Sequence, residues 1–399
     1  YQNGSDDKAL LEEIAKQVHR FLEIIPNTEA STNEYLREKS AKRRIGFYFD
    51  NPDKKHVIFQ HYFKLVESFD KDLHKIVLIK GPIAANKDSK ELERQASESI
   101  QLPNSLKGSV EMIRKQDLDV LVFTEIHSSP NPYCLAHNRM AKTQVVLPGN
   151  SITSGLKTID YFISSSYTET ANSEKRYTEK LVKINGIPTG ISIKKSDSNN
   201  NIREMCGIDK DSNLFSLLHN PIKFHPDWDQ LLEKTAQACD NTLFLILDKS
   251  DEETKQLVRR WKKNAPTLLE KSKFLKRLSK KDYMNLISHC NAILDPLHRG
   301  CGTTAFEALA MGIPIITKPG LLARSRLVYG LYQIMKINDA PIAYSESEYI
   351  KLCTEIITNK EKATSLRSKI NSNFELIVSS NDKAINAIKN FLINVPSAV

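Results

Sequence analysis

Cysteine is sparse in this chain of 399 residues, and its six examples, Cys134, Cys206, Cys239, Cys290, Cys301 and Cys353, share no paired spacing. That argues against a zinc site or a disulfide scaffold and suits a reducing compartment. The cytoplasm is the expected location, with a secreted effector acting in a host cytosol as the alternative. No uninterrupted apolar run approaches the roughly 18 residues of a membrane span, so no stable span is expected. No Asp-x-Asp pair stands out as a metal site, and no segment recurs at a fixed period. The chain also lacks an initiating methionine. Tyr1 is expected to mark a truncated or processed end, beyond which a targeting signal would be invisible.

What is present favours two domains over one at this length, and 40% hydrophobic residues supply real cores. The net charge of +9 comes from lysine-heavy stretches such as Arg259 to Lys263 and Lys271 to Lys281. Such runs read as solvated faces that can steer anionic ligands, with no nucleic-acid partner expected. Leu10, Leu11, Ile14, Val18, Leu22 and Ile25 recur at helical spacing up to Pro26, and Ser31 to Lys39 suggests a second short helix. Strand-like runs at 45–50, 75–80, 118–123, 144–149 and 161–163 then alternate with helical or polar segments, the pattern of parallel β/α/β units. A polar stretch over 185–201 reads as a linker. A second series follows with strands at 213–218, 242–247 and 292–294 and a last amphipathic helix over 383–395.

Several local signals converge on residues 291–318. Ala292 to Leu294 is a short strand ending in Asp295-Pro296, followed by a loop with Gly300, Gly302, Thr303 and Thr304. A helix follows, with Ala305, Phe306, Leu309 and Ala310 on its apolar face, and Gly312 stops it before a strand at 314–317. Unpaired amides at that helix start, with two threonine hydroxyls, suit a phosphate. Glu307 falls off the apolar face and is expected to be exposed, so that its loss leaves the fold intact. Its carboxylate could accept from a ribose diol, or it is an ordinary solvated glutamate. Asn220 and Lys223 follow the strand at 213–218 on a loop above the sheet, although a lysine is exposed by default. Glu125 and His127 lie just beyond the strand at 118–123, where sites form in such sheets. His56 and His61 follow the first strand, and a helix-capping or surface role is the plain alternative for both.

The 291–318 segment resembles the nucleotide-sugar site of GT-B glycosyltransferases. Its Leu294-Asp295, Gly300, Thr303-Thr304 and Gly312-Ile313-Pro314 most resemble the protein O-GlcNAc transferase family, which includes bacterial protein N-glucosyltransferases. Arg44 to Phe47, Arg139-Met140-Ala141, Gln144, Pro148-Gly149, Thr153-Ser154-Gly155, Asp160-Tyr161, Tyr177 and Glu179-Lys180-Leu181 extend the resemblance over roughly residues 43–357. Gly302 stands where many relatives have histidine, and the His56/His61 spacing is offset.

The resemblance implies an α/β, GT-B fold: two Rossmann-like doubly wound domains facing a cleft, behind a short helical preface. The segments would be a helical part at 1–42, an acceptor-side domain at 43–190, a nucleotide-sugar domain at 191–375 and a C-terminal helix at 376–399 packing back towards the acceptor-side domain. It further implies transfer of GlcNAc or a hexose from a UDP-sugar to a protein side chain. Asn220, Lys223, Lys280, Tyr283, Gly302, Thr303, Thr304 and Glu307 would bind the donor, and Lys223, His56 and His127 would act in catalysis. No metal or other cofactor is expected, because cations of the protein replace magnesium. Two other readings remain: a GT-B epimerase or a transferase acting on a glycan or lipid, and a catalytically silent nucleotide-sugar-binding interaction protein.

Overall fold

Strands that are apolar on both faces need cover on both, which is the condition of a parallel sheet between helices. The computed structural model, which describes residues 4–22, 42–84, 88–191, 193 and 201–398, has two such sheets in two compact units. One unit is Asp6–Ser192 with Ser379–Val399, the other Tyr1–Ser5 with Ile193–Val378.

The first unit runs α1 (Lys8–Phe21), β1 (Arg43–Phe49), α2 (Val57–Glu67), β2 (His74–Lys80), α3 (Lys90–Gln95), β3 (Glu98–Gln101) and α4 (Leu106–Arg114). It continues with β4 (Leu118–Phe123), α5 (Pro130–Ala136), β5 (Ala141–Val146), β6 (Tyr161–Ser165) and β7 (Lys180–Ile184). The strands lie in the order β3-β2-β1-β4-β5-β6-β7, all paired in parallel. Alternation along β1 sends Ile45, Phe47 and Phe49 to one face, where they cluster with Leu65 of α2 and with Ala384, Ile388 and Leu392. Tyr48 faces the other way, with Val77, Ile79, Val110 of α4 and Ala15 of α1. The C-terminal residues thus cover one face of this sheet and α1 contributes to the other.

Expectations for the central strands hold here, while β3 and β7 had no counterpart in the sequence reading. Both are edge strands, and Glu98-Ser99-Ile100-Gln101 contains no fully buried residue, so the apolar signal of a covered strand is missing. Ile25, Pro26 and Ser31 to Lys39 lie outside the described residues.

Motif residues of this unit form a scaffold. Arg139 binds both carboxylate oxygens of Asp160. Gln144 accepts from the Met140 amide at 2.9 Å and donates to the Thr158 carbonyl at 2.9 Å. Glu179 is buried and accepts from the Thr153 hydroxyl at 2.6 Å and the Ser154 amide at 2.7 Å. Gly155 has φ +73°, and a Cβ there would come within 2.6 Å of the Leu11 backbone carbonyl group in α1. Left-handed backbone and a backbone clash both penalise a side chain. Gly155→Ala is therefore expected to cost about 2 kcal/mol, read as a lower urea midpoint; an unchanged midpoint would mean α1 does not dock on this loop.

The second unit contains α6 (Ile202–Met205), β8 (Asn213–Leu217), α7 (Pro226–Ala238), β9 (Thr242–Asp248), α8 (Glu252–Asn264) and α9 (Pro266–Glu270). It continues through β10 (Ser272–Lys276), α10 (Lys280–Ser288), β11 (Ala292–Leu294), α11 (Thr303–Ala310), β12 (Ile315–Ile316), α12 (Leu327–Met335) and α13 (Glu346–Thr358). The expected 383–395 helix is the end of α14 (Lys360–Asn394), which begins in this unit and ends in the other. The parallel sheet has the order β10-β9-β8-β11-β12. Strand order therefore reverses between β8 and β11 here, and between β1 and β4 in the first unit. In open parallel sheets ligands bind beyond the carboxyl ends of the strands at such reversals.

Candidate functional site

Lys223 and the glycine loop leave the two strands, β8 and β11, that flank the reversal. After β8, His219 is buried and its Nε2 lies 2.9 Å from the Leu294 carbonyl, so the chain leaves the sheet fastened to β11. Burial, with the nearby Lys223 charge second, pushes its imidazole down to about 3, and it is neutral at physiological pH. Pro221–Lys223 then forms a 3-10 turn, capped by the exposed Asn220 side chain accepting from the Ile222 amide at 3.3 Å. That turn brings the half-buried Lys223 Nζ to 2.8 Å from the Gly300 carbonyl.

Gly300 is held from the other side as well, its amide donating to the Arg324 carbonyl at 3.0 Å. Asp295, fully buried, shapes the loop by accepting from the Cys301 amide at 2.6 Å and the Thr317 hydroxyl at 2.7 Å. A Cβ on Gly300 would lie 3.0 Å from the Asp295 carboxylate, so a glycine lets the backbone pass. Burial lowers the Lys223 pKa, and the carboxylate of Asp295 opposes that shift. An ammonium has three N–H donors, so the bond to Gly300 leaves two for a ligand.

Gly302 is the N-cap of α11, and Thr303 and Thr304 are its first two residues. Nothing lies within 4 Å of where a Gly302 side chain would start, so the position has room for one. The amides of these residues and the helix dipole present positive potential beside the Lys223–Gly300 contact.

Glu307 corrects the sequence reading. It is 5% exposed, and every residue of α11 from Ala305 to Ala310 is buried, so the helix has no solvent face on which a glutamate could sit. Its carboxylate is ion-paired with the Nζ of Lys280, whose side chain is 64% exposed. Lys280 opens α10 and also sits 5.7 Å from the Tyr283 ring centroid, within cation–π range. Tyr283 is half-buried and shares a hydrogen bond with Thr304, which opposes the upward push of burial on its phenol. Lys280, Tyr283, Thr304 and Glu307 are thereby one connected group. Loss of Glu307 is no longer expected to be structurally silent. Glu307→Ala should cost about 1 kcal/mol, discounted because the lysine end is solvated, and, if the site takes the UDP that the resemblance implies, weaken its binding by about tenfold. Calorimetry beside a melting curve checks both, and unchanged UDP affinity would remove Glu307 from the site.

Beside this group, beyond the ends of β8, β9 and β10, is a cavity of about 370 Å³ lined by Leu218, Leu247, Lys276, Arg277, Leu278, Lys280 and Tyr283. Apolar walls with a ring and cations at the rim suit a flat heteroaromatic group. Sequence reasoning missed Lys276 and Arg277 as site residues, along with the organising roles of Asp295 and Arg324. Position at a strand end was the available signal for the first pair; Arg324 acts through its backbone and left none.

In the first unit, the ends of β1 and β4 carry Asp50 and Glu125. Asp50 is buried and accepts from Tyr48 Oη at 2.8 Å and Ser129 Oγ at 2.6 Å. Glu125 is 3% exposed, and its Oε2 has no hydrogen-bond partner among the described residues. Burial first, and the Asp50 charge second, raise its carboxyl to about 7. His127 Nε2 lies 3.0 Å from the Thr153 carbonyl, and burial lowers its pKa. A neutral ring donating there keeps Nδ1 as the acceptor nitrogen. His56 is the N-cap residue of α2, with no side-chain capping bond. His61 joins Thr189 Oγ1 through Nδ1 at 2.6 Å, and burial holds it near 4; it fastens the segment after β7. His56 and His127 both follow strands at the reversal of this sheet, whereas Asn220 is a turn cap.

No family model matches the chain. Among curated proteins it is similar to the probable UDP-N-acetylglucosamine–peptide N-acetylglucosaminyltransferases SPINDLY. The protein of Oryza sativa subsp. japonica is 23% identical over 393 residues, covering 92% of this chain and 40% of its own length. That of Eustoma exaltatum subsp. russellianum is 23% identical over 259 residues, 64% of this chain and 28% of the relative. The matched chain thus spans well under half the length of these relatives. Among solved structures, a mutant of the Thermobaculum terrenum O-GlcNAc transferase superposes with TM-score 0.76 at 17% identity, covering 90% of this chain and 69% of that one. Anabaena HepE, in complex with UDP and glucose, gives 0.57 at 12%, covering 87% of this chain and all of the other. The chain has the GT-B fold of two Rossmann-like α/β domains. Within that fold it is similar to O-GlcNAc transferases.

Proposed function

We propose that this chain is a GT-B glycosyltransferase that moves a sugar from a UDP-sugar to a protein side chain, without a metal ion. The observation that carries the reading is the Lys223–Gly300 contact at 2.8 Å, which sets an ammonium beside the N-terminus of α11 where strand order reverses. Displacement at the anomeric carbon builds charge on the departing diphosphate. The Gly302 to Thr304 amides, the threonine hydroxyls, the α11 dipole and Lys223 are donors arranged for that charge. The cavity beside Tyr283 takes the base, and Glu307 with Lys280 takes the ribose. Support for UDP and a sugar comes from HepE, whose structure holds UDP and glucose, and support for a peptide acceptor comes from the names of the SPINDLY relatives.

On the acceptor side we assign proton transfer to Glu125 and His127 at the β1/β4 reversal, where Asp50 and His56 also lie. A general base works best with a pKa near the operating pH, and Glu125 at about 7 meets that condition. We keep the cytoplasm as the expected setting from the unpaired spacing of the six cysteines; among the described residues no helix is long and apolar enough to cross a membrane. The test is mass spectrometry of a cell lysate incubated with the protein and a panel of UDP-sugars. Hexose or N-acetylhexosamine additions on peptides are expected. UDP binding with neither transfer nor donor hydrolysis would leave a silent nucleotide-sugar binder instead.

A further inference from the structure

Three side chains that the donor site does not use converge beside it. His225 is the N-cap of α7, His298 lies in the β11–α11 loop, and Asp227 is in the first turn of α7. A single carboxylate oxygen of Asp227 lies 2.7 Å from His298 Nε2 and 3.3 Å from His225 Nδ1. The two imidazole rings meet edge-on at 4.8 Å, and all three ligand atoms lie within 4.8 Å of one another. We propose that His225 Nδ1, His298 Nε2 and Asp227 Oδ2 form a binding site for a borderline divalent transition-metal ion, zinc first.

Bonds of roughly 2.0–2.2 Å in a tetrahedral shell put neighbouring ligand atoms about 3.3 Å apart. The His225–Asp227 separation already has that value, and the His298–Asp227 separation must open by about half an ångström. Asp227 can supply that movement, since its side chain is 61% exposed while the imidazoles are held at 28% and 19%. Neutral imidazole nitrogens with one carboxylate favour zinc, cobalt or nickel over magnesium, which prefers an all-oxygen shell. The exposed side leaves a fourth position for water. A helix-capping histidine and a surface ion pair would explain each contact separately. What they do not require is that three ligand atoms from two separate chain segments lie within 4.8 Å of one another, a spacing from which one ion can draw them together. The ion must displace two hydrogen bonds, the one between His298 Nε2 and Asp227 Oδ2 at 2.7 Å and the longer one from the Asp227 amide to His225 Nδ1 at 3.3 Å.

The consequence is mechanical. His225 is two residues beyond Lys223, and His298 is two residues before Gly300, so an ion here ties together the same two segments that the Lys223–Gly300 bond joins. Its role is to fix the loop geometry, with no part in the transfer step, and the site does not depend on the proposed transferase activity.

The experiment uses the untagged full chain titrated with zinc by calorimetry and with cobalt by absorption. One equivalent per chain is expected to bind, with visible cobalt bands and no near-ultraviolet thiolate charge-transfer band, and zinc should raise the melting temperature. His298→Ala and Asp227→Asn should each weaken zinc binding by about tenfold or more and remove the thermal shift, while melting like the parent in chelator. Absence of saturable one-equivalent binding overturns the proposal. So does binding that persists in both variants, or a cobalt spectrum dominated by thiolate, which would place the ion on cysteines.

Discussion

Lys223→Ala is expected to lower turnover at saturating UDP-sugar by a hundredfold or more, equivalent to about 3 kcal/mol of transition-state stabilisation, the usual cost of losing one preorganised donor at a developing anion. The basis is the position of the ammonium, held at 2.8 Å from the Gly300 carbonyl in a half-buried setting, where water screens it less than on an open surface. The fold loses less. Removing the side chain deprives one carbonyl of a donor, worth about 1 kcal/mol, and Gly300 keeps its amide bond to Arg324. Lys223→Arg should rescue poorly, because a planar guanidinium cannot take the place of a compact ammonium between the turn and the loop. Turnover measured beside melting curves decides the matter. Near-parental turnover in a folded alanine variant would remove Lys223 from the reaction and, with it, the main support for an active transferase.

How far the sequence could be read depended on whether a residue's surroundings were local. Strands β1, β2, β4, β8 and β9 are buried on both faces and announced themselves as apolar runs; the edge strands β3 and β7 did not. Lys223 could be placed above the sheet because a strand end followed by a Pro-bearing turn leaves few alternatives. Its partner Gly300 is 77 residues away, and nothing local to either residue encodes the contact. Glu307 shows the opposite failure. Helical periodicity assigned it to a solvent face, but α11 is enclosed on every side, and the glutamate is accommodated only because Lys280, on another helix, reaches in to pair with it. The motif residues of the first unit were recognised by likeness. Their physical work, such as the Arg139–Asp160 and Glu179–Thr153 contacts, depends on loops that only the folded chain brings together.

Glu125→Gln is expected to make the protein more stable than its parent at pH 8, by as much as about 3 kcal/mol, with the gap shrinking to a few tenths near pH 4.5. The carboxyl has an ordinary value of 4.5 and is raised to about 7 in the folded chain, by burial first and the neighbouring Asp50 charge second. The folded state therefore keeps its proton over a range in which the unfolded state has released it. Stability of the parent falls as pH rises from about 4.5 and levels off above about 7, where the buried carboxylate is ionised with one oxygen lacking a partner among the described residues. Glutamine reproduces the neutral form and does not titrate, so it removes that loss. Urea midpoints of the two proteins at pH 4.5, 6 and 8 measure the effect. A gap of the same size at every pH would mean that Glu125 ionises normally. In that case its place as proton acceptor at the β1/β4 reversal would fall, because a carboxylate with an ordinary pKa has little driving force to take a proton near neutrality.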